Sequence, residues 1–162
     1  MKTVYLALGS NLGDREGHLR TALERLAAAE VLVTRRSSVY ETEPRDLREQ
    51  PWFLNMVVEA HTDLFPMQLL ARILNIEREM GRQRRTPKGP RSIDIDILLY
   101  GNSVIHTATL DVPHTRLAER RFVLEPLAEI APDLRHPVIG RTMRELLPDT
   151  RDQPLRRTDL RF

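Results

Sequence analysis

Two aspartate residues lie in the alternating segment Ile93-Asp94-Ile95-Asp96-Ile97. Successive side chains of a β-strand point to opposite faces, so both carboxylates lie on one face and the isoleucines on the other. Their Cα atoms are then about 6–7 Å apart, at a rise of about 3.3 Å per residue, so both carboxylates can hold one hard cation or bridge two. Mg²⁺ favours this ligand set, completed by water and by phosphate oxygens of a substrate. The alternative is a half-exposed strand with solvated acids.

The segment immediately before these aspartates is strongly basic. It reads GRQRRTPKGPR at 81–91, and its glycine and proline residues indicate a loop. Arginine guanidinium groups donate paired hydrogen bonds to phosphate oxygens, while a metal ion neutralises the charge of the same phosphates from the other side. Such a loop either closes over phosphates as a lid or is only a solvated, charged loop. Its basic side chains are those of Arg82, Arg84, Arg85, Lys88 and Arg91.

Two further features each have two readings. Residues 9–14 (GSNLGD) lie between a strand-like run and a helix, where backbone N–H groups bind anions. They lack both the Gly-Lys-Ser/Thr of a P-loop and the GxGxxG fingerprint, which favours a tight structural turn. Glu77 falls on the apolar stripe of a predicted helix, where an unpaired carboxylate would be costly. It either reaches water or pairs with the basic segment; the stripe comprises Leu70, Ile73, Leu74 and Met80.

An aromatic ring and an amide lie together on another predicted strand. Phe53 and Asn55 are spaced i, i+2 and share one face, whereas Trp52 lies on the other. The pair is either a core phenylalanine with a structural asparagine or a platform for a flat, hydrogen-bonding heterocycle. His114 stands among several arginine residues, and it is either structural or a contact to phosphate.

Hydrophobic periodicity predicts the elements that carry these residues. Apolar, β-prone runs predict strands at 3–8, within 31–42, at 52–62 and at 92–100. Helical spacing predicts a helix from an Asp14 N-cap to about Ala29, one from Pro66 to Gly81, and short helices near 122–130 and 142–147. This order predicts an α+β fold with a ferredoxin-like βαββαβ core, a mainly antiparallel sheet and helices on both faces. We expect a single domain over 1–147 and a polar tail over 148–162, loose or draped over the surface.

Composition excludes several classes of function. The 162 residues indicate one domain, and the lack of cysteine excludes disulfide scaffolds, thiol nucleophiles and cysteine metal sites. A net charge of +2 is far from the basic excess of a dedicated nucleic-acid binder. The sequence shows neither a signal-peptide pattern nor an apolar stretch of 18 residues. We expect a cytoplasmic monomer that acts on small molecules and binds neither nucleic acid nor membrane.

Taken together, the segments from Val4 to Pro132 resemble a known family, the 6-hydroxymethyl-7,8-dihydropterin pyrophosphokinases of folate biosynthesis. The resemblance rests on six blocks in the same order, of which the GPRxxDxDI stretch is the most specific. It implies a single pyrophosphokinase domain that transfers pyrophosphate from ATP to the pterin hydroxymethyl oxygen and releases AMP. The blocks are LALGSNLGD (6–14), SSVYETEP (37–44), QPWFLNMVV (50–58), GRQR (81–84), GPRSIDIDILLYGN (89–102) and VPHTRLAERRFVLEPLAEIAP (112–132).

The resemblance also implies a role for each matching residue. Asp94 and Asp96 would bind two Mg²⁺ ions that bridge ATP and the attacking hydroxyl, and Arg82 and Arg91 would steady the phosphates during transfer. ATP, as co-substrate, would be held by Leu70, Glu77, Arg84, Ile97, Leu110, His114 and Arg120, of which the three apolar residues would line the adenine pocket. The pterin slot would comprise Thr42, Pro44, Phe53, Asn55 and Phe122.

Some positions depart from the family pattern, and two other functions remain possible from the residues alone. The departures are Glu43 and Arg45 beside the pterin slot, and Lys88, Thr109, Asp111 and Thr115 on the nucleotide side. One alternative is a nucleic-acid-binding module, although the chain has eight aromatic residues and no aromatic RNA-binding strand motif. The other is a magnesium-dependent phosphohydrolase or nuclease that uses the same two aspartates.

Overall fold

A computed structural model describes residues 1–44, 49–81 and 92–162. In these ranges the main sheet is antiparallel throughout, with β5, β1, β4, β3 and β8 as neighbours in that order and β2 also paired with β4. A separate hairpin comprises β6 and β7. The strands are β1 (Lys2–Ser10), β2 (Leu32–Arg36), β3 (Tyr40–Thr42), β4 (Phe53–Thr62), β5 (Asp94–Tyr100), β6 (Ile105–His106), β7 (Asp111–Val112) and β8 (Leu155–Arg157).

The helices begin where the sequence provides a start signal. The Asp14 carboxylate accepts the Gly17 N–H at 3.0 Å, which confirms it as the N-cap of the first helix. The second helix begins at Pro66, whose missing N–H costs nothing at that position. The described helices are α1 (Arg15–Ala28), α2 (Pro66–Glu79), α3 (Arg121–Ile130) and α4 (Met143–Leu146), with 3₁₀ turns at Leu117–Glu119 and Leu147–Thr150. In this part of the chain, every helix is too short or too polar to cross a bilayer.

Alternation along β1 supplies two cores, one on each face of the sheet. Val4, Leu6 and Leu8 are buried with residues of α1 and α2, whereas Tyr5 is buried with residues of α3 and α4. Helices therefore cover both faces of an antiparallel sheet, as predicted. Because α3 lies against the face that carries the odd-numbered residues of β1, a site on that face is bordered by this helix.

The structure corrects one prediction about packing. Leu74 is 46% exposed, and the buried stripe of α2 instead comprises Leu69, Ile73, Ile76 and Glu77. Apolar residues stand in pairs at 69–70 and 73–74, and helical spacing fits a stripe through either member of each pair. The pattern alone therefore does not show which member faces the core.

Of the two arrangements expected for the polar tail, the structure shows the one in which it is draped over the surface, and the loose one is wrong. Residues 155–157 form β8, which pairs with β3 and extends the sheet, and the Thr158 N–H donates to the Val39 carbonyl at 2.9 Å. Leu160 and Phe162 pack against the core between the sheet and α1. A strand this short depends on pairing with its neighbour, which local sequence does not reveal.

Candidate active site

The register of the sheet brings residues from four strands into one row. Asp94 of β5 lies opposite Gly9 of β1, Gly9 lies opposite Asn55 of β4, and Asn55 lies opposite Tyr40 of β3. Paired residues share a face, and the Tyr40 hydroxyl donates to Glu129 of α3 at 2.8 Å. The row therefore lies on the face that α3 covers.

Glycine is required at the centre of this row. A Cβ atom at Gly9 would lie 2.8 Å from the Asn55 Oδ1 and 3.5 Å from the Phe53 ring. The Asn55 amide donates in turn to the Thr42 hydroxyl. The side chains of Phe53 and Asn55 thus close directly over the β1 backbone, which only a residue without a side chain permits.

The two aspartates share this face, as the alternating pattern predicts. Asp94 lies opposite Gly9 and Asp96 lies opposite Ala7. Both aspartates are half-buried, whereas Ile95 between them is buried. Among the described residues no group of three or more acids and histidines converges on a common point. Two hard carboxylate oxygens on one face still fit Mg²⁺, which takes one or two carboxylates and completes its shell with water and phosphate.

The backbone between the two aspartates is fixed by a buried carboxylate. Glu77 of α2 is 4% exposed and accepts the Ile95 N–H at 2.8 Å. β5 is an edge strand, and this bond satisfies a donor that faces away from β1. Of the two readings of Glu77, a water-exposed position is wrong. Its pairing with the basic segment falls on residues 82–91, which lie outside the described ranges.

The three predicted adenine-pocket residues line one cleft. Leu70, Ile97 and Leu110 border a cavity of about 220 Å³ beside β5, together with Asp96 and His114. Three positions that depart from the family pattern, Thr109, Asp111 and Thr115, also line it.

His114 is held in one orientation at the end of this cleft. Its backbone N–H donates to the Leu98 carbonyl at 3.0 Å, and its Nδ1 accepts the Arg116 N–H at 3.1 Å. Burial and the Arg120 guanidinium lower the pKa of His114, against the opposing effect of Asp94. The ring is therefore neutral near pH 7, and the proton lies on Nε2 because Nδ1 accepts.

A second pocket lies at the β3 side of the row. Thr42, Pro44 and Phe122 border a cavity of about 300 Å³. Phe53 and Asn55 adjoin it through Thr42, which pairs with Phe53 and bonds Asn55. The remaining lining residues, none of them a predicted site residue, are Glu43, Arg121, Asp152, Gln153 and Pro154.

Sequence reasoning missed the part of this pocket that the tail contributes. The polar composition of residues 148–162 resembles that of an unstructured end, and nothing in it indicates a wall of a pocket. Arg120 was expected on the nucleotide side, and its guanidinium lies 5.4 Å from the centroid of the Phe122 ring. It thus stands beside a residue of the second pocket and is also close enough to His114 to lower the pKa of that ring.

The predicted arginines of the basic segment, Arg82, Arg84 and Arg91, lie outside the described residues, as do Lys88 and Arg45. The described ends of that segment are tied together, because the Ser92 hydroxyl donates to the Met80 carbonyl at 3.1 Å. The two sides of the basic segment therefore meet at Ser92, two residues before Asp94.

Comparison with known proteins identifies relatives over most of the chain. The chain is 53% identical over 127 residues to a 2-amino-4-hydroxy-6-hydroxymethyldihydropteridine pyrophosphokinase of Bacillus subtilis, a match that covers 78% of this chain and 76% of the relative. It is 44% identical over 154 residues to the protein of that name from Aquifex aeolicus, covering 95% and 96%.

Longer proteins contain a similar region. The folic acid synthesis protein fol1 of Pneumocystis carinii is 44% identical over 139 residues, which are 86% of this chain but only 19% of that protein. A solved structure of Plasmodium falciparum HPPK-DHPS superposes with a TM-score of 0.71 at 19% identity, covering 92% of this chain and 43% of the other. At that identity the superposition shows a shared fold.

The model of one protein family covers 128 consecutive residues, 5–132, which include both aspartates, the Gly9 row and the start of α3. Together with the bacterial relatives, this match shows that the chain belongs to the 7,8-dihydro-6-hydroxymethylpterin-pyrophosphokinase family, whose members are enzymes that transfer pyrophosphate.

Proposed function

We propose that this protein transfers the pyrophosphoryl group of ATP to the hydroxymethyl oxygen of 6-hydroxymethyl-7,8-dihydropterin, giving the pterin diphosphate and AMP. The observation that carries the proposal is the order of features across the sheet, from its β5 edge to β4. A cleft with both apolar and polar lining residues lies beside β5, two carboxylates follow on β5, and an amide with an aromatic ring follows on β4. A nucleotide in the cleft and a heterocycle on β4 would bring their reacting ends together near the carboxylates.

The heterocycle would be bound between rings and read at its edge. Phe53 and Phe122 would sandwich the flat pterin, and offset stacking of this kind favours a planar ligand. Asn55 would read the edge of the pterin, with its amide oriented by the bond to Thr42. Pro44 completes this side of the pocket.

ATP would lie at the β5 edge. The adenine ring would pack with its apolar faces against three apolar side chains, those of Leu70, Ile97 and Leu110. His114 would donate its Nε2 proton to a phosphate oxygen, with Arg120 and Arg84 as further contacts. Glu77 would act through β5, because its bond to Ile95 fixes the strand that carries both aspartates.

The reaction would be a direct in-line transfer. The hydroxymethyl oxygen attacks the β-phosphorus of ATP, the bond from that phosphorus to the α-phosphate oxygen breaks, AMP leaves with the electron pair, and the hydroxyl proton passes to water. Asp94 and Asp96 would hold two Mg²⁺ ions, which when bound neutralise phosphate charge. Arg82 and Arg91 would add positive charge from the basic segment. Such a transfer needs positioning and charge neutralisation more than a strong base.

Further parts of the proposal concern the whole chain. The order of elements and strand neighbours supports a ferredoxin-like βαββαβ core. We propose a single pyrophosphokinase domain over 1–147, to which the tail over 148–162 adds β8 and one wall of the second pocket. We also propose a monomer that works in the cytoplasm on small molecules, without nucleic-acid or membrane partners.

Substitution of the carboxylates tests the proposal. Asp94→Asn and Asp96→Asn should each lower the rate of pterin-dependent AMP formation by at least about 100-fold, as loss of a charge-stabilising group in other active sites does, with the unfolding midpoint unchanged. The matched control is Asp133→Asn, an exposed acid paired with Arg144 of α4, which should keep full activity. Wild-type rates in either active-site variant at ordinary Mg²⁺ would show that the carboxylates do not serve this reaction.

A further inference from the structure

The carboxyl-terminal segment is attached through β3 to one wall of the second pocket, the cavity bordered by Thr42, Pro44 and Phe122, which we call the heterocycle pocket. Leu155 of β8 pairs with Thr42, which lines the pocket. Three residues further on, both the backbone N–H and the hydroxyl of Thr158 donate to the Val39 carbonyl, at 2.9 and 2.8 Å. The tail is therefore paired with β3 along its short strand and is bonded, just after that strand, to the residue that precedes β3.

The same segment is attached to the opposite wall through Gln153. Its side-chain Oε1 accepts the Arg121 N–H at 3.0 Å, and its carbonyl accepts from the Arg121 guanidinium at 2.9 Å. Its Nε2 donates to the Glu119 carbonyl at 2.7 Å. One residue of the tail thus makes three hydrogen bonds at the start of α3.

These bonds replace a missing helix cap. The first N–H groups of a helix have no partner within it, and a polar residue at the N-cap usually accepts one. The N-cap of α3 is Arg120, which makes no such side-chain bond. Gln153 supplies the acceptor from 32 residues away, and the next residue of that helical turn is Phe122, which lines the pocket.

We propose that Gln153 is a positioning residue for the heterocycle pocket. By holding the first turn of α3, it sets the separation between Phe122 on one wall and Thr42 and Pro44 on the other, while Asp152 and Pro154 close the end of the cavity. This inference rests on the proposed function, because it assumes that the pocket receives the pterin. Gln153 acts through Arg121 and has no part in the chemical step.

Steady-state kinetics separates this role from a general loosening of the tail. Gln153→Ala should raise the KM for the pterin about fivefold, which corresponds to a loss of about 1 kcal/mol of binding free energy. The kcat and the KM for ATP should stay within about twofold of wild type. The control is Thr158→Val, which removes two side-chain hydrogen bonds from the same tail without touching α3. Thr158→Val should lower the unfolding midpoint by about as much as Gln153→Ala does, and it should leave the KM for the pterin unchanged.

Residue-specific hydrogen exchange in the substrate-free protein tests the physical link separately. Gln153→Ala should speed exchange of the Arg121 amide about fivefold or more, whereas Thr158→Val should not. Unchanged exchange, or an equal rise in pterin KM in both variants, overturns the positioning role. A wild-type protein that forms no AMP from ATP and pterin defeats the proposed function and the pterin role with it, while the exchange result still shows whether Gln153 holds α3.

Discussion

Gly9 decides how closely the pterin-side residues approach the strand that separates them from the aspartates. Asn55 and Phe53 both contact the position where its Cβ atom would lie. The Asn55 amide is buried and bonded to Thr42, so it has little freedom to move aside. The backbone at this position therefore controls the orientation of the amide.

Gly9→Ala should raise the KM for the pterin by roughly tenfold or more, since displacement of a positioning group by about 1 Å costs up to 100-fold. Steady-state kinetics with both substrates measures this, and the KM for ATP should change little. Ser10→Ala is the control, because it lies on the same strand but on the opposite face. An unchanged pterin KM in Gly9→Ala would mean that Asn55 does not read the ligand.

Single residues were predictable where one pattern allowed one arrangement. The strict alternation at 93–97 determined that Asp94 and Asp96 share a face, and the structure agrees. Glu77 allowed two interpretations because helical spacing does not show which strand passes beside the helix. Its acceptor role depends on the Ile95 N–H, a backbone group that carries no sequence signature.

Between elements, the contact of α2 with β5 holds the proposed metal ligands in place. The Glu77 carboxylate is buried among the apolar residues of α2 and accepts the backbone N–H of Ile95, which lies between the two aspartates on β5. Loss of this acceptor would leave a buried edge-strand N–H without its partner. The cost of an unsatisfied buried donor is about 1–3 kcal/mol.

Glu77→Leu should therefore lower the free energy of unfolding by about 1–3 kcal/mol and reduce turnover by displacing β5. Glu77→Gln keeps an acceptor of the same length and should retain most of the stability. Urea unfolding followed by circular dichroism measures both variants. Equal losses in the two would show that the carboxylate charge, not the hydrogen bond to Ile95, stabilises the site.

Elements with a signal in their own sequence were predictable, down to the four-residue α4, whereas the two- and three-residue strands β6, β7 and β8 were not. Periodicity alone located α1, α2 and β4 to within two or three residues, because each presents a long apolar face or run. β8 has three residues and forms only because β3 offers it an edge. The pocket wall at 152–154 was missed for the same reason, since it depends on where β8 pairs.

At the scale of the whole molecule, groups with lowered pKa values make stability depend on pH in one direction. Burial lowers the pKa of His136, and burial together with Arg120 lowers that of His114. Burial alone would raise the pKa of Glu41, but hydrogen bonds from two arginines outweigh it and the net shift is downward. A lowered folded-state pKa stabilises the protein above the unfolded-state pKa, and that contribution is lost as pH falls.

The free energy of unfolding should thus fall first as pH drops through about 6.5, the unfolded histidine value, and again below about 4.3 as carboxylates protonate. The His136 Nδ1 accepts the N–H groups of Val138 and Ile139 at 3.2 and 3.1 Å, which requires the neutral ring. His136→Asn keeps an acceptor near that position and does not titrate. Urea unfolding at pH 7.5 and 5.5 should show a smaller loss in the variant than in wild type; equal losses would contradict this role.

The most direct test of the central claim follows both transferred phosphates. Wild-type protein, Mg²⁺ and ATP labelled separately on the β- and γ-phosphorus would be incubated with and without 6-hydroxymethyl-7,8-dihydropterin. The proposal predicts that both labels move together to the pterin and that AMP forms only when the pterin is present. Transfer of the γ label alone with ADP as product, or release of labelled phosphate without the pterin, would contradict pyrophosphoryl transfer by this protein.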